Sequence, residues 1–345
     1  MTAVRPAPSD SISGIARIVV ALAGALALFG VLMILKGTNP LVAYADMITS
    51  TLTDEASIEG ILVRATPIAL AALAVAIPAR AGLINVGGEG QLIVGGVAAM
   101  GVALALDGSG PGWLRLVLMG VAAAAAGAAW SALAAVLRLA VGISESVTTL
   151  LLNYIALDLM YFLIYDVWKD RQGSGQPATR ALSGSERLGL LGDTRVHLGL
   201  LIAVVATAVV AVVFRRTTWG FRLRVVGGNT EAARRAGFRV GALLVSGMAV
   251  GGALAGLGGY AQLAGAEYKL RSGFVAGYGY VAFLASWLAR HRPVGVTGAA
   301  VLLTAIAIGG DSLQLDAGLP AASVNVLMAL VLLGVFGFSK KRAAS

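Results

Sequence analysis

Side chains able to do covalent or metal chemistry are few in this sequence, and they are scattered. It has no cysteine, which removes disulfides, zinc–thiolate sites and dithiol redox chemistry together. The two histidines, His197 and His291, stand apart beside basic residues, and no HxxxH, convergent carboxylate pair or GxSxG accompanies them. None of the five lysines, Lys36, Lys169, Lys269, Lys340 and Lys341, follows a glycine, so a phosphate-cradling Walker A loop is absent. What remains is hydrogen-bonding chemistry set in apolar sequence. Residues 79–96, ARAGLINVGGEGQLIVGG, interrupt a hydrophobic pattern with six glycines and the polar side chains Asn85, Glu89 and Gln91. Irregular backbone at membrane depth is tolerated only where protein buries it or a water-filled path runs beside it, and broken helices of this kind mark transport routes. The plainer alternative is a turn at residues 78–82 with Glu89 near the interface.

Three more polar groups fall inside apolar runs: Asn153 and Asp158 in one, Gln262 near the end of another. An ionised aspartate at a helix centre costs ~2.5–3.5 kcal/mol on insertion scales, so Asp158 should face protein or an interface. Asparagine in such a place serves either as an interhelical hydrogen-bonding residue or as a substrate ligand. The candidate pathway set is therefore Asn85, Glu89, Gln91, Asn153, Asp158 and Gln262. Glycines 251, 252, 256, 258 and 259 form small-xxx-small spacings that let helices approach closely, a packing role.

Residues 215–239, RRTTWGFRLRVVGGNTEAARRAGFR, carry seven arginines against one glutamate. Asn229 or Thr230 can cap a short helix with Glu231 in its first turn, Arg234 and Arg235 in its last, and Gly237 ending it. Ala232 and Ala236, four apart, give that helix a small apolar face. It suits docking in a groove of another protein, or else lies as a topogenic loop on anionic headgroups.

The elements that must position these groups follow from composition. Of 345 residues, 58% are hydrophobic and 12% charged, about half the usual charge of a soluble domain. At ~20 apolar residues per span the chain can cross a bilayer about ten times, so the expected fold class is all-α and polytopic. The runs lie at residues 18–35, 61–77, 92–106, 114–137, 147–165, 198–214, 242–263, 274–289, 294–308 and 321–338. The first is too long for a signal-peptide core and lacks a small-x-small cleavage site, so it reads as a retained helix. Threading the runs with the N-terminus inside places Arg5, Arg17, Arg80, Arg138, Arg215, Arg216, Arg222, Arg224, Arg234, Arg235, Arg239, Arg290, Arg292, Lys340, Lys341 and Arg342 on the inner face. That is 16 of 26 basic residues, which favours both termini inside. The net charge of +9 is then topological, and no nucleic-acid patch is found. The chain reads as one transmembrane domain over residues 1–345, with an inner tail (1–14), an outer loop (166–196) and the inner loop 215–239.

Four segments, in order, resemble a known family: residues 80–96 (RAGLINVGGEGQLIVGG), 142–156 (GISESVTTLLLNYIA), 222–237 (RLRVVGGNTEAARRAG) and 309–320 (GGDSLQLDAGLP). They are similar to permease subunits of ABC importers in the branched-chain amino acid/ribose/nucleoside superfamily, most of all to nucleoside or simple-sugar permeases that work with basic-membrane-protein-type lipoproteins. The likeness extends over most of the chain from about Ile61. Residues 273–293 depart from the pattern, with Tyr278, Tyr280 and Trp287 where small residues are commoner. The resemblance implies a type II importer fold in a bacterial inner membrane and import by alternating access. It makes residues 229–237 the ATPase-coupling element. No cofactor is expected on this chain, ATP and Mg residing on a partner ATPase; a second permease chain, an extracytoplasmic binding lipoprotein and membrane lipid complete the expected partners. Neutral amides, with no Lys or Arg at any helix centre, suit a nucleoside better than a multiply charged anion. Branched-chain amino acid or ribose uptake is the alternative within the class. A stand-alone channel or ion-coupled carrier, needing no ATPase, is the alternative outside it, and a membrane-embedded lipid-modifying enzyme lacks the acid/base or metal cluster it would need.

Overall fold

The structure, a computed structural model, describes residues 9–107, 109–171, 175–316, 326–327 and 329–330. Among them no strand forms; only two isolated bridges pair Ala178 with Arg271 and Leu190 with His197. The helices are α1 (Ser9–Leu35), α2 (Pro40–Leu52), α3 (Glu55–Ala79), α4 (Gly88–Leu106), α5 (Gly112–Val141), α6 (Glu145–Phe162), α7 (Gly199–Arg216), α8 (Thr218–Gly228), α9 (Thr230–Arg235), α10 (Val240–Gln262), α11 (Tyr278–Leu288) and α12 (Pro293–Asp316). Among the described residues, seven helical stretches are long and apolar enough to cross a bilayer: α3, α4, α5, α6, α7, α10 and α12, with α6 and α10 each prolonged by a π-helical turn. An eighth arises if α1 and α2, bent by 117° at the break between them, count as one.

The ten expected runs differ from this in two places. The run at 274–289 keeps only the eleven residues of α11 as helix, too short to span alone. Its first part is instead a chain of turns with left-handed backbone at Gly273, Val275 and Gly277, a geometry that costs a β-branched residue such as Val275 and persists only where surrounding contacts enforce it. The bend at 36–39 adds α2, whose N-terminus is capped by Asn39 accepting from the Leu41 amide. The last expected helix, 321–338, lies largely outside the described residues, as do residues 1–8 of the expected tail.

The chain divides into two compact units, residues 1–58 with 303–345, and residues 59–302. In the first, Phe29 and Met33 of α1 are buried with Ala43 of α2 and Leu327, and the Tyr44 hydroxyl donates to the Leu26 carbonyl at 2.6 Å. The second unit is organised around α10, which packs chiefly on α5 and α4. Glycines make that approach possible: Gly252 lies against the main chain of Gly127, Gly256 against Ala123 and Gly259 against Leu92, where any Cβ would strike backbone. The glycine ladder is a packing device, as its spacing implied.

The connection from α6 to α7 is held by ions and backbone. Glu186, fully buried, receives Arg180 at 3.0 Å and the Ser183 amide at 2.9 Å, while Arg180 also donates to the Ala103 carbonyl and Arg115 to the Ser185 hydroxyl. Burial would push the Glu186 carboxyl up, but the bond from Arg180 and those from Ser183 outweigh it and hold it below the usual range. At the end of this loop the His197 ring is buried against Gly265, and its Nδ1 accepts from the Gly199 amide at 3.1 Å, capping α7. Burial pushes this imidazole down to about 4.

The folded state therefore disfavours a charge on His197 that the unfolded chain accepts at 6.5. Its contribution is whole above pH 6.5 and is lost as pH falls from there toward 4. Thermal melts of the detergent-solubilised protein should show about 2 kcal/mol less stability at pH 5 than at pH 7. His197→Asn, which keeps a capping acceptor that does not titrate, should flatten that slope; an unchanged slope would show that the acid sensitivity lies elsewhere.

Candidate functional site

Between α3 and α4 the backbone stops being helical. Pro78, near the end of α3, and Gly82, with φ of +78°, turn the chain, and Leu83 still bonds back to the Pro78 carbonyl. From residue 84 to 87 the main chain has neither helix nor sheet to satisfy it. A single face of α6 supplies what is missing. Glu145, Thr149 and Asn153 stand four residues apart, so they form one stripe along the helix. The Ile84 amide donates to Glu145 Oε1 at 3.0 Å, the Val86 amide to Thr149 Oγ1 at 3.2 Å, and the Gly90 amide to Asn153 Oδ1 at 2.8 Å. Asn153 Nδ2 returns a bond to the Val86 carbonyl at 3.0 Å. The side chains act as a substitute strand edge. Glu145 is itself fixed by an ion pair with Arg138 at the end of α5.

A second layer closes over the same segment. Asn85 and Gln91 exchange amide hydrogen bonds at 3.2 and 2.9 Å, Asn85 Nδ2 also reaches the Ala74 carbonyl, and its Oδ1 takes the Gly87 amide. Glu89 points the other way. Its two carboxylate oxygens accept from the Gly277 and Gly279 amides, each at 2.6 Å, capping the N-terminus of α11. A carboxylate there meets unsatisfied amides and the positive end of the helix dipole at once. Gly279 must be glycine, for its Cβ would occupy the Glu89 main chain.

The structure thus brings Asn85, Glu89, Gln91 and Asn153 into one buried cluster where two interrupted helices meet. Asp158 lies on an exposed face of α6, and Gln262 is buried at the end of α10 with Oε1 unpaired among the described residues; no hydrogen bond joins either to the cluster. Sequence reasoning missed Thr149 and the role of Glu145. The signal was the E-x-x-x-T-x-x-x-N spacing, which places all three on one helical face. Beside the cluster, Tyr280 of α11 is 41% exposed and Tyr154 of α6 57% exposed, offering aromatic surface next to amides.

The basic loop folds as two short helices. Thr217 caps α8 by accepting from Gly220, and Asn229 caps α9 by accepting from the Ala232 amide at 2.9 Å. Thr230 Oγ1 donates to the Val226 carbonyl, Glu231 pairs with Arg234 and Arg235 at 3.2 Å each, and Gly237 ends the turn at φ +81°. Ala233 is buried and fastens α9 to the body, while Ala232 and Ala236 face out. Beside α9, a groove of about 510 Å³ is lined by Trp219, Arg222, Phe238 and Ser246 among others.

The family model described as the branched-chain amino acid transport system permease component matches residues 57–336. The chain is 37% identical over 321 residues to the glucose ABC transporter permease of Haloferax volcanii, covering 90% of this chain and 83% of that one. It is 36% identical over 273 residues to the guanosine ABC transporter permease of Bacillus subtilis, covering 78% of each. It is 30% identical over 311 residues to a nucleoside ABC transporter permease of Lactococcus lactis, covering 88% and 85%.

Removing the α6 stripe should be felt as stability. Asn153→Leu leaves the Gly90 amide and the Val86 carbonyl unpaired, at roughly 1–3 kcal/mol for each buried group, so the melting temperature should fall by several degrees. Asp158→Asn, on the exposed face, should stay within about 0.5 kcal/mol of the parent. Equal melting of the two variants would show that the stripe does not hold the segment.

Proposed function

The chain belongs to the permease components of the branched-chain amino acid transport system family, and from that premise we propose that it carries nucleosides into the cell as one half of a heteromeric permease pair. It is a multi-pass permease subunit of an ABC importer, seated in the cell membrane, which in a bacterium is the inner one. Membership brings with it an ATPase and a substrate-binding partner.

The observation that carries the reading is the cluster at Glu89, where two non-helical segments meet inside an apolar chain. Such breaks are the parts of a membrane protein that can rearrange without unfolding a whole span. Asn85, Gln91 and Asn153 hold the breaks, Glu89 links them, and Tyr154 and Tyr280 offer π-faces beside them. Asp158 and Gln262 are the outlying candidates for the same route. A nucleoside is neutral, hydrogen-bonding and aromatic, which these groups match without a fixed countercharge. Two of the relatives above bear nucleoside or guanosine names. The glucose permease favours a simple sugar as the second reading, while a branched-chain amino acid stands behind both.

In this proposal residues 229–237 couple the chain to the ATPase through Ala232 and Ala236, with Asn229, Thr230, Glu231, Arg234, Arg235 and Gly237 shaping the helix. The chain binds no cofactor of its own; ATP and Mg act on the partner, so catalysis resides there, and the binding protein is a lipoprotein. The fold is of the type II importer kind, with both termini in the cytoplasm. It makes ten crossings if residues 274–289 cross as an irregular half followed by a half-helix and residues 321–338 cross as well.

The absence of native cysteine makes single-cysteine labelling clean. A cysteine at Thr230 should react with an impermeant maleimide only from the cytoplasmic side, and one at Asp193 only from outside; the reverse pattern overturns the orientation.

The assembled importer should take up radiolabelled guanosine, with competition by excess unlabelled nucleoside and none by leucine or glucose. Ala236→Glu should cut the rate at least about tenfold, a charged side chain in a close contact being worth over 1.4 kcal/mol, while membrane insertion stays normal. Uptake blocked by glucose alone moves the cargo to the second reading, and uptake without the ATPase removes the ABC mechanism.

A further inference from the structure

Around Arg80, at the end of α3, gather α8, the last turn of α7 and the α11–α12 connection. The Arg80–Gly82 turn lies against the end of α8, where a Cβ on Gly227 would enter the Arg80 main chain. The Arg80 guanidinium lies over the Phe214 ring at 4.7 Å, and Arg224 donates to the Phe214 carbonyl at 3.3 Å. From the α11–α12 turn, with left-handed backbone at Arg290 and His291, come Arg292 and the imidazole of His291, which is bonded to Ser286 through Nδ1. Both Arg224 and Arg292 are near enough to repel Arg80 electrostatically, and Arg80 in turn acts on His291. Burial first, then these two cations, lowers the Arg80 guanidinium below its ordinary value.

Among the described residues no carboxylate pairs with Arg80, whose guanidinium meets the Phe214 ring instead. Arg80 Nε is buried with no hydrogen-bond partner among the described residues. The carboxylates on this face are already engaged: Glu145 by Arg138 and the Ile84 amide, Glu231 by Arg234 and Arg235. A half-buried guanidinium surrounded by cations is an unfinished electrostatic arrangement, one that an oxyanion would complete.

We propose that Arg80, Arg224 and Arg292 form a binding site for a phosphate oxyanion, supplied by the headgroup of an anionic membrane lipid. The location favours lipid over other anions. Arg80 directly follows α3, Arg224 of α8 reaches the last turn of α7 through the Phe214 carbonyl, and Arg292 directly precedes α12, so all three arginines sit at the ends of membrane-spanning helices. Basic pockets between helix ends on the cytoplasmic side bind anionic headgroups in this manner. The inference rests on the orientation proposed above, which cysteine labelling tests separately, and is independent of the cargo.

The full chain, purified in neutral detergent, is titrated with phosphatidylglycerol or phosphatidylcholine and read by native mass spectrometry. One phosphatidylglycerol should be retained in preference to phosphatidylcholine. Arg80→Gln and, at the exposed rim, Arg292→Gln should each weaken retention about fivefold, while Arg215→Gln, which removes the same charge from the neighbouring exposed surface, should change it less than about twofold. Size-exclusion profiles confirm that each variant folds, and Arg292→Gln decides the matter if Arg80→Gln does not. Equal losses in all three variants would reduce the site to general surface charge. Displacement of the lipid by millimolar inorganic phosphate would reassign the site to free phosphate. Unchanged lipid retention, with loss of ATPase association in Arg80→Gln, would assign it to an acidic protein partner; each of these results overturns the proposal.

Discussion

A main-chain amide in hydrocarbon must find an acceptor within the protein, because lipid offers none. That requirement organises the second unit. Where the helix is broken after α3, the chain cannot leave residues 84–90 to solvent, and it does not pair them with a strand. It meets them with side chains instead: three from one face of α6, then an amide pair between Asn85 and Gln91. The second break, before α11, is met from the first, through Glu89. Each interruption is therefore stabilised by groups that only another element can supply. The two breaks share one hydrogen-bonded cluster, and the smooth glycine contacts of α10 provide the close packing around it.

Local signals were legible in the sequence wherever one element explains itself. The capped helix at Asn229, its Glu231 and its stop at Gly237 follow from residue order alone, because caps and terminators act within four residues. The glycine spacing of α10 and the irregularity of residues 79–96 were readable for the same reason. What the sequence could not show was which neighbour answers which orphan. Glu145, Thr149 and Asn153 form a visible stripe, but an i, i+4 polar stripe looks alike whether it faces backbone, lipid headgroups or a cargo. The break inside 274–289 was hidden because its composition stays apolar; the amides it frees at Gly277 and Gly279 are met by Glu89, distant in sequence. Candidate sites chosen by polarity alone accordingly mixed residues that hold the breaks, such as Asn153, with one on an exposed face, Asp158.

The charged groups divide by the company they keep. Glu186 and Glu145 are buried, yet each is surrounded by donors, which is the condition under which a buried carboxylate is tolerated. Glu231 spends its charge inside α9, where two arginines straighten a six-residue helix too short to be stable alone. The positive-inside rule accounts for an excess of arginine on one face of such a protein, though not for the burial of Arg80.

The Glu89 cap joins residues 188 and 190 positions apart. A ribosome working at ~5–20 residues per second needs roughly 10–40 s to cover that distance. During that interval α4 is already inserted, with a carboxyl group whose acceptor sites have no donors, inside a growing bundle that lacks α11. The hydrogen bonds that fix α4 to α11 are therefore among the last to form as the chain is made, whatever the order in which single helices enter the membrane. A protein arrested before α11 would hold Glu89 without either of the amides that it accepts from in the finished fold.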